Sequence, residues 1–293
     1  MKKSFSSLVK DELCTLNIKS KPEAASELAA MLIFGENYNG NKIIIKTTRA
    51  QNAARLQALF RKASGEEIFI DVTGKNYLVT VSKSTAESIG VYSSEDGYIE
   101  LDEDIFDEDV KKRAFLRGAF IASGTITPPE KTYSAELFTY NENMAYIAAE
   151  LLDSFNIHAN IIKRKDYFVT YLKDKNSVSD FLNVIGAHSS LMTLMTTQIE
   201  KDFRNRTNRA TNCKVANLDK TISASAKQCS AIEKLYHSPR WESLDDELKA
   251  IAKLRIEHKD LSIAQLGEIL TPPLTKSSVN RRLNKLVELT KEL

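Results

Sequence analysis

The chain has 293 residues, 42% of them hydrophobic and 27% charged, which allows two soluble domains, each with its own core. No apolar run approaches the roughly 20 residues of a membrane helix, so no membrane partner is expected. The formal net charge of +2 conceals a separation along the chain: Glu95, Asp96, Glu100, Asp102, Glu103, Asp104, Asp107, Glu108 and Asp109 form an acidic belt without Lys or Arg, whereas Lys201, Arg204, Arg206, Arg209, Lys214, Lys220 and Lys227 face only Asp202 and Asp219.

The N-terminus starts basic but meets Lys10, Asp11 and Glu12 before any apolar core, so no signal peptide is read and a cytoplasmic, nucleoid-associated location is expected. Cys14, Cys213 and Cys229 lie far apart, and His158, His188, His237 and His258 show no ligand spacing, so neither a metal site nor a disulfide framework is expected, nor any cofactor.

In chain order, Phe5, Leu8, Val9, Leu13 and Leu16 have helical spacing. Ser20-Lys21-Pro22-Glu23 offers a cap, an early-turn proline and a glutamate three residues on, opening a helix that runs to Glu36. Asn39-Gly40 predicts a hairpin turn into a strand at 43–47. A helix over 51–62, strands at 68–73 and 77–82 and a short helix over 84–90 complete the unit. After the acidic belt, read as a linker, the order returns: a helix over 112–124, a strand at 133–140, a helix over 142–155, strands at 158–163 and 168–172, and a helix over 176–185. The later elements of the two copies are offset by about 91 residues. The expected fold is α+β, a pseudo-twofold domain of two αββαββα repeats (about 20–90 and 110–187) within residues 1–190. In the helix 112–124, Gly118, Ala119 and Ala122 invite close approach by another helix, a reason to accept the roughly 1 kcal/mol that glycine costs a helix.

Residues 191–236 contain no proline or glycine and read as a basic helical connector of one or two helices, bearing Asn205, Asn208, Asn212 and Asn217 beside its cations. Residues 237–293 form an all-α domain. Leu244, Leu248, Ile251 and Leu254 space its first helix. Ser262 and Gln265 make a capping box for the second, which ends before Pro272-Pro273. The third opens at Thr275 and turns Val279, Leu283 and Leu286 inward. Its other side carries Lys276, Ser277, Ser278, Asn280, Arg281, Arg282, Asn284 and Lys285, with no acid from Thr271 to Leu286. A short capped helix, a turn and a helix with this outer face form the pattern of a helix-turn-helix on double-stranded DNA: Arg and Asn suit base edges, Lys and Ser suit phosphates. With Arg204, Arg206, Arg209, Lys214 and Lys220 of the connector, these are the candidate DNA-binding residues.

The stretch Leu116-Arg117-Gly118-Ala119-Phe120-Ile121-Ala122-Ser123-Gly124 resembles the LAGLIDADG helix of homing endonucleases. With Asn208…Asn212-Cys213…Ala216-Asn217-Leu218-Asp219-Lys220 and Lys276-Ser277-Ser278-Val279-Asn280-Arg281-Arg282-Leu283, essentially the whole chain resembles the WhiA family. The resemblance implies a DNA-binding regulator of Gram-positive bacteria, linked to sporulation, cell division or chromosome segregation, with no nuclease activity. A nuclease of this fold needs an acid near the end of each paired helix to hold metal ions. The equivalent positions here are Gly35 and Ser123, and Glu36 is one position late. The sheets would offer Lys42, Lys46 and Arg49 in one copy and Lys131, Lys163, Arg164 and Lys165 in the other. Two alternatives remain open: an active metal-dependent endonuclease, and a docking module for RNA polymerase or its sigma factor.

Overall fold

The computed structural model describes residues 3–35, 38–39, 42–93 and 99–291. Glu36, Gly40, Glu95 and Asp96 lie outside the described residues. The fold is α+β in its N-terminal part and helical beyond it, and the chain divides into two compact units between Lys201 and Asp202.

In the first unit, helix α1 (Phe5–Cys14) precedes two copies of one element order. The first copy runs α2 (Lys21–Phe34), β1 (Tyr38–Asn39), β2 (Lys42–Thr47), α3 (Ala50–Ala63), β3 (Ile70–Thr73), β4 (Asn76–Ser82) and α4 (Lys83–Glu87). A strand pair, β5 (Val91–Ser93) with β6 (Ile99–Leu101), follows. The second copy runs α5 (Asp109–Ser123), β7 (Thr125–Ile126), β8 (Ala135–Thr139), α6 (Glu142–Asp153), β9 (Asn160–Arg164), β10 (Tyr167–Leu172) and α7 (Lys175–Ile185). Each copy builds an antiparallel sheet of the same order, β1-β2-β4-β3 and β7-β8-β10-β9. The acidic belt therefore differs from a plain linker. Ile99 and Leu101 alternate with Glu100 in a strand paired to β5, Ile105 is buried, and Asp109 begins α5.

The axis of the unit is the α2–α5 contact. Ser20 caps α2 by accepting from the Glu23 amide at 3.2 Å, as its spacing predicts. Almost every residue of α2 from Ala24 to Phe34 is buried, because α5 covers one side and a sheet-and-helix layer the other. A β-carbon at Gly118 would lie 2.2 Å from the Glu27 carbonyl oxygen and 3.0 Å from Ala30 Cβ, so only glycine admits this crossing. The sequence does not reveal the polar seam beside it. Glu27, fully buried, accepts from Arg55 Nε at 2.7 Å and Arg117 Nε at 2.8 Å, and Glu23 accepts from Arg117 at 2.9 Å. Burial alone would depress the Arg117 pKa, but Glu27 and Glu23 outweigh it and hold it above the ordinary arginine value.

Helix α8 (His188–Tyr236) is continuous over 49 residues. Its start is held within the first unit by Glu12 of α1, whose carboxylate accepts from the Ser189 and Ser190 amides at 2.6 and 2.9 Å. The second unit comprises the rest of α8, α9 (Asp246–Glu257), α10 (Ile263–Glu268) and α11 (Lys276–Lys291). Its core joins Ile232 and Leu235 of α8 to Leu248, Ile251, Leu266, Val279, Leu283 and Leu286.

Candidate nucleic-acid interface

The α10–turn–α11 segment is fixed at both ends by local chemistry. Ser262 and Gln265 form the reciprocal capping box expected of them, the Ser262 amide donating to Gln265 Oε1 at 2.9 Å. Thr275 caps α11 by accepting from the Ser278 amide at 3.3 Å. Between them the turn presses onto α10: the Leu274 amide donates to the Gly267 carbonyl at 2.9 Å, and a β-carbon at Gly267 would lie 2.2 Å from the Leu274 carbonyl oxygen. Glycine inside this short helix sets how closely the turn approaches.

With Val279, Leu283 and Leu286 fully buried, helical phase leaves Lys276, Ser277, Asn280, Arg281, Asn284 and Lys285 exposed on one side of α11. Ser278 and Arg282 differ, being half-buried. The Arg282 guanidinium reaches back to the Glu247 carboxylate of α9 and stands 3.4 Å from Ser278 Oγ. Its partner is 35 positions away, beyond any local pattern.

Sequence reasoning missed Arg255. It is 1% exposed and donates from Nη1 to the Leu261 carbonyl at 2.7 Å and the His258 carbonyl at 3.3 Å, where the chain enters α10. Burial without a carboxylate partner pushes its pKa down. The signal was available, since Arg255 continues the stripe of Leu248, Ile251 and Ala252.

The connector cations occupy an exposed part of α8. Every residue from Asp202 to Lys220 is exposed, including Arg204, Arg206, Arg209, Lys214 and Lys220. The sheet cations divide. Lys42, Lys46, Lys131, Lys163 and Lys165 are exposed, with Lys163 over the Phe168 ring at 5.1 Å. Arg164 pairs with Glu136 at 3.0 Å. Arg49 turns inward, bonding Ser7 Oγ at 2.7 Å, the Ser7 carbonyl at 2.9 Å and the Asp11 carboxylate.

The ends of α2 and α5, where a nuclease would hold metal, border a cavity of about 290 Å³. Among the described residues, Phe34, Gly35, Ala122, Ser123, Phe138, Thr139, Tyr140 and Tyr167 line it, none of them a carboxylate. Ser123 Oγ accepts from the Phe138 amide at 3.2 Å, so this hydroxyl serves the β8 backbone.

Two family models match the chain: the WhiA LAGLIDADG-like domain over residues 112–204 and the WhiA C-terminal HTH domain over residues 207–290. The "Probable cell division protein WhiA" of Ruminiclostridium cellulolyticum is 36% identical over 307 residues, covering 99% of this chain and 98% of that protein. Its namesake in Clostridium acetobutylicum is 34% identical over 311 residues with the same coverage. Among solved structures, full-length DUF199/WhiA from Thermatoga maritima matches with a TM-score of 0.62 at 26% identity over 99% of both chains. The N-terminal LAGLIDADG domain of DUF199/WhiA matches 64% of this chain and 94% of its own with a TM-score of 0.51 at 25% identity.

Proposed function

The chain belongs to the WhiA family, and on that premise we propose that it is a transcriptional regulator that binds double-stranded DNA and acts in cell division, chromosome segregation or sporulation. The observation that carries this reading is the exposed row on α11, where arginine and asparagine alternate with lysine and serine and no acid intervenes. The working division is a LAGLIDADG-like domain over 1–190, a basic connector over 191–236 that lies along the DNA, and a helix-turn-helix domain over 237–293. Arg282 would then act as a support, since its charge is already matched by Glu247.

The LAGLIDADG-like domain is read as a scaffold that keeps its shape without cutting. Gly35 and Ser123 stand where paired carboxylates would hold metal, and a lone Glu36 would not replace the pair. Replacing Arg281 and Lys285 with alanine is expected to weaken promoter binding at least tenfold and flatten its salt dependence by about one in log–log slope, the share of Lys285. Wild-type affinity in that variant would remove α11 from the interface. Loss of an RNA polymerase or sigma-factor contact, with DNA binding intact, would favour the docking alternative. Incubation of the purified protein with supercoiled plasmid and magnesium is expected to leave the plasmid intact. Sustained nicking would overturn the scaffold reading.

A further inference from the structure

Between Asp202 and Lys220, nineteen consecutive residues of α8 are exposed on every side of the helix. A helical stretch this exposed gains little from tertiary packing, so its stability leans on intrinsic propensity. This one is rich in poor formers: Asn205, Asn208, Asn212 and Asn217, with Thr207 and Thr211. A helix face that only needed solvation would be served better by lysine, glutamate or alanine. Asparagine earns its place at helix starts by capping, but these sit far inside α8. Among the described residues, the side chains of Asn205, Asn208, Asn212, Arg204, Arg206 and Arg209 have no hydrogen-bond or ion-pair partner.

Their phase is ordered. Asn205, Asn208, Arg209 and Asn212 stand at i, i+3, i+4 and i+7, within an arc of about 100° around the helix axis. Arg204 and Arg206 flank that arc on its two sides. We propose that this stretch is a second reading helix, lying in the major groove of double-stranded DNA with the asparagine arc toward the base edges and Arg204 and Arg206 on the bordering phosphates. The inference rests on the reading of the protein as DNA-binding, but it assigns base recognition to residues outside the α10–turn–α11 pair. The major groove admits a bare α-helix, and continuous basic helices enter it this way. The asparagine amide offers a donor and an acceptor at the spacing of adenine N6 and N7, and Arg209 fits guanine O6 and N7. The arc spans about 10 Å along the helix, enough for about three stacked base pairs. Five cations against two acids over these residues match the field of the phosphates.

The test selects preferred sites from a randomised duplex pool with three full-length proteins: wild type, Asn208→Ala/Asn212→Ala, and Arg281→Ala. Alanine is the better helix former, so weaker binding by the double variant will not come from a melted helix. Wild type is expected to select a composite site, one segment of which contains adenine and disappears in the double variant. The double variant should bind the composite site at least tenfold more weakly with an unchanged salt slope, because no charge is removed. Arg281→Ala should keep the adenine segment and lose the other. An unchanged motif in the double variant overturns the proposal, whether affinity is retained or falls, since a fall alone assigns the helix to phosphates. If wild type selects no motif, the regulator reading fails and this inference with it. If Arg281→Ala alone has no effect, the assignment of α11 fails while the reading helix stands.

Discussion

At the scale of single residues, the strongest constraints lie where charge or bulk is enclosed. Glu27 sits between Arg55 and Arg117 with no exposed surface, so Glu27→Ala would leave two buried guanidiniums short of a partner. Breaking a buried pair on one side costs roughly 3–5 kcal/mol, which should appear as a lower urea midpoint for the first unit. Gly118→Ala acts on the same contact through volume: its methyl meets the Glu27 carbonyl, and a loss of about 2 kcal/mol or more is expected from separating α2 and α5. Lys10 supplies a pH dependence. Burial, and then the nearby Arg49, lower its pKa from 10.5 to about 8. Below pH 8 the folded and unfolded chains both hold the proton. Between pH 8 and 10.5 the unfolded chain holds a proton that the folded chain has released, so stability rises with pH through that window. The Lys10-dependent gain is up to about 3 kcal/mol, and it should vanish when the same titration of stability is run on Lys10→Met.

At the scale of elements, capping chemistry and packing phase explain what could be read in advance. The Ser20 and Ser262 caps, the inward stripe of α11 and the doubled order of elements are all local patterns, and each appears in the structure. Short strands escaped because two or three residues cannot show a period: β7 has two residues, and β5 and β6 have three each. Partners distant in sequence were also invisible. Nothing near Arg117 points to Glu23, 94 positions away, and nothing near Arg282 marks it as already paired. The candidate site was therefore legible as a helix face but not as a set of free charges. Ser262→Ala removes one capping bond, with an expected loss of about 1 kcal/mol in the stability of the second unit. Gly267→Ala should perturb DNA binding beyond its effect on stability. The Leu274 carbonyl must move away from α10, and that movement displaces the start of α11.

At the scale of the whole molecule, the near-neutral total charge says little about affinity, because the cations that matter are grouped and unpaired. In the second unit, Lys276, Arg281 and Lys285 on α11 and Arg204, Arg206, Arg209, Lys214 and Lys220 on α8 are exposed, whereas Arg282 is neutralised within the fold. Each phosphate matched by a cation contributes about −0.9 to the slope of log affinity against log salt on duplex DNA. Lys276 and Lys285 of α11 acting alone would give a slope of about −2, and with Arg204 and Arg206 of α8 about −4. The steeper value is expected from binding isotherms of the full chain across a range of salt concentrations. Arg204→Ala/Arg206→Ala should reduce the slope by about two, while Arg282→Ala should leave it nearly unchanged and lower stability instead. A wild-type slope near −2 that Arg204→Ala/Arg206→Ala does not alter would confine the interface to α11. The exposed helix 202–220 would then need another reason for its unpaired arginines.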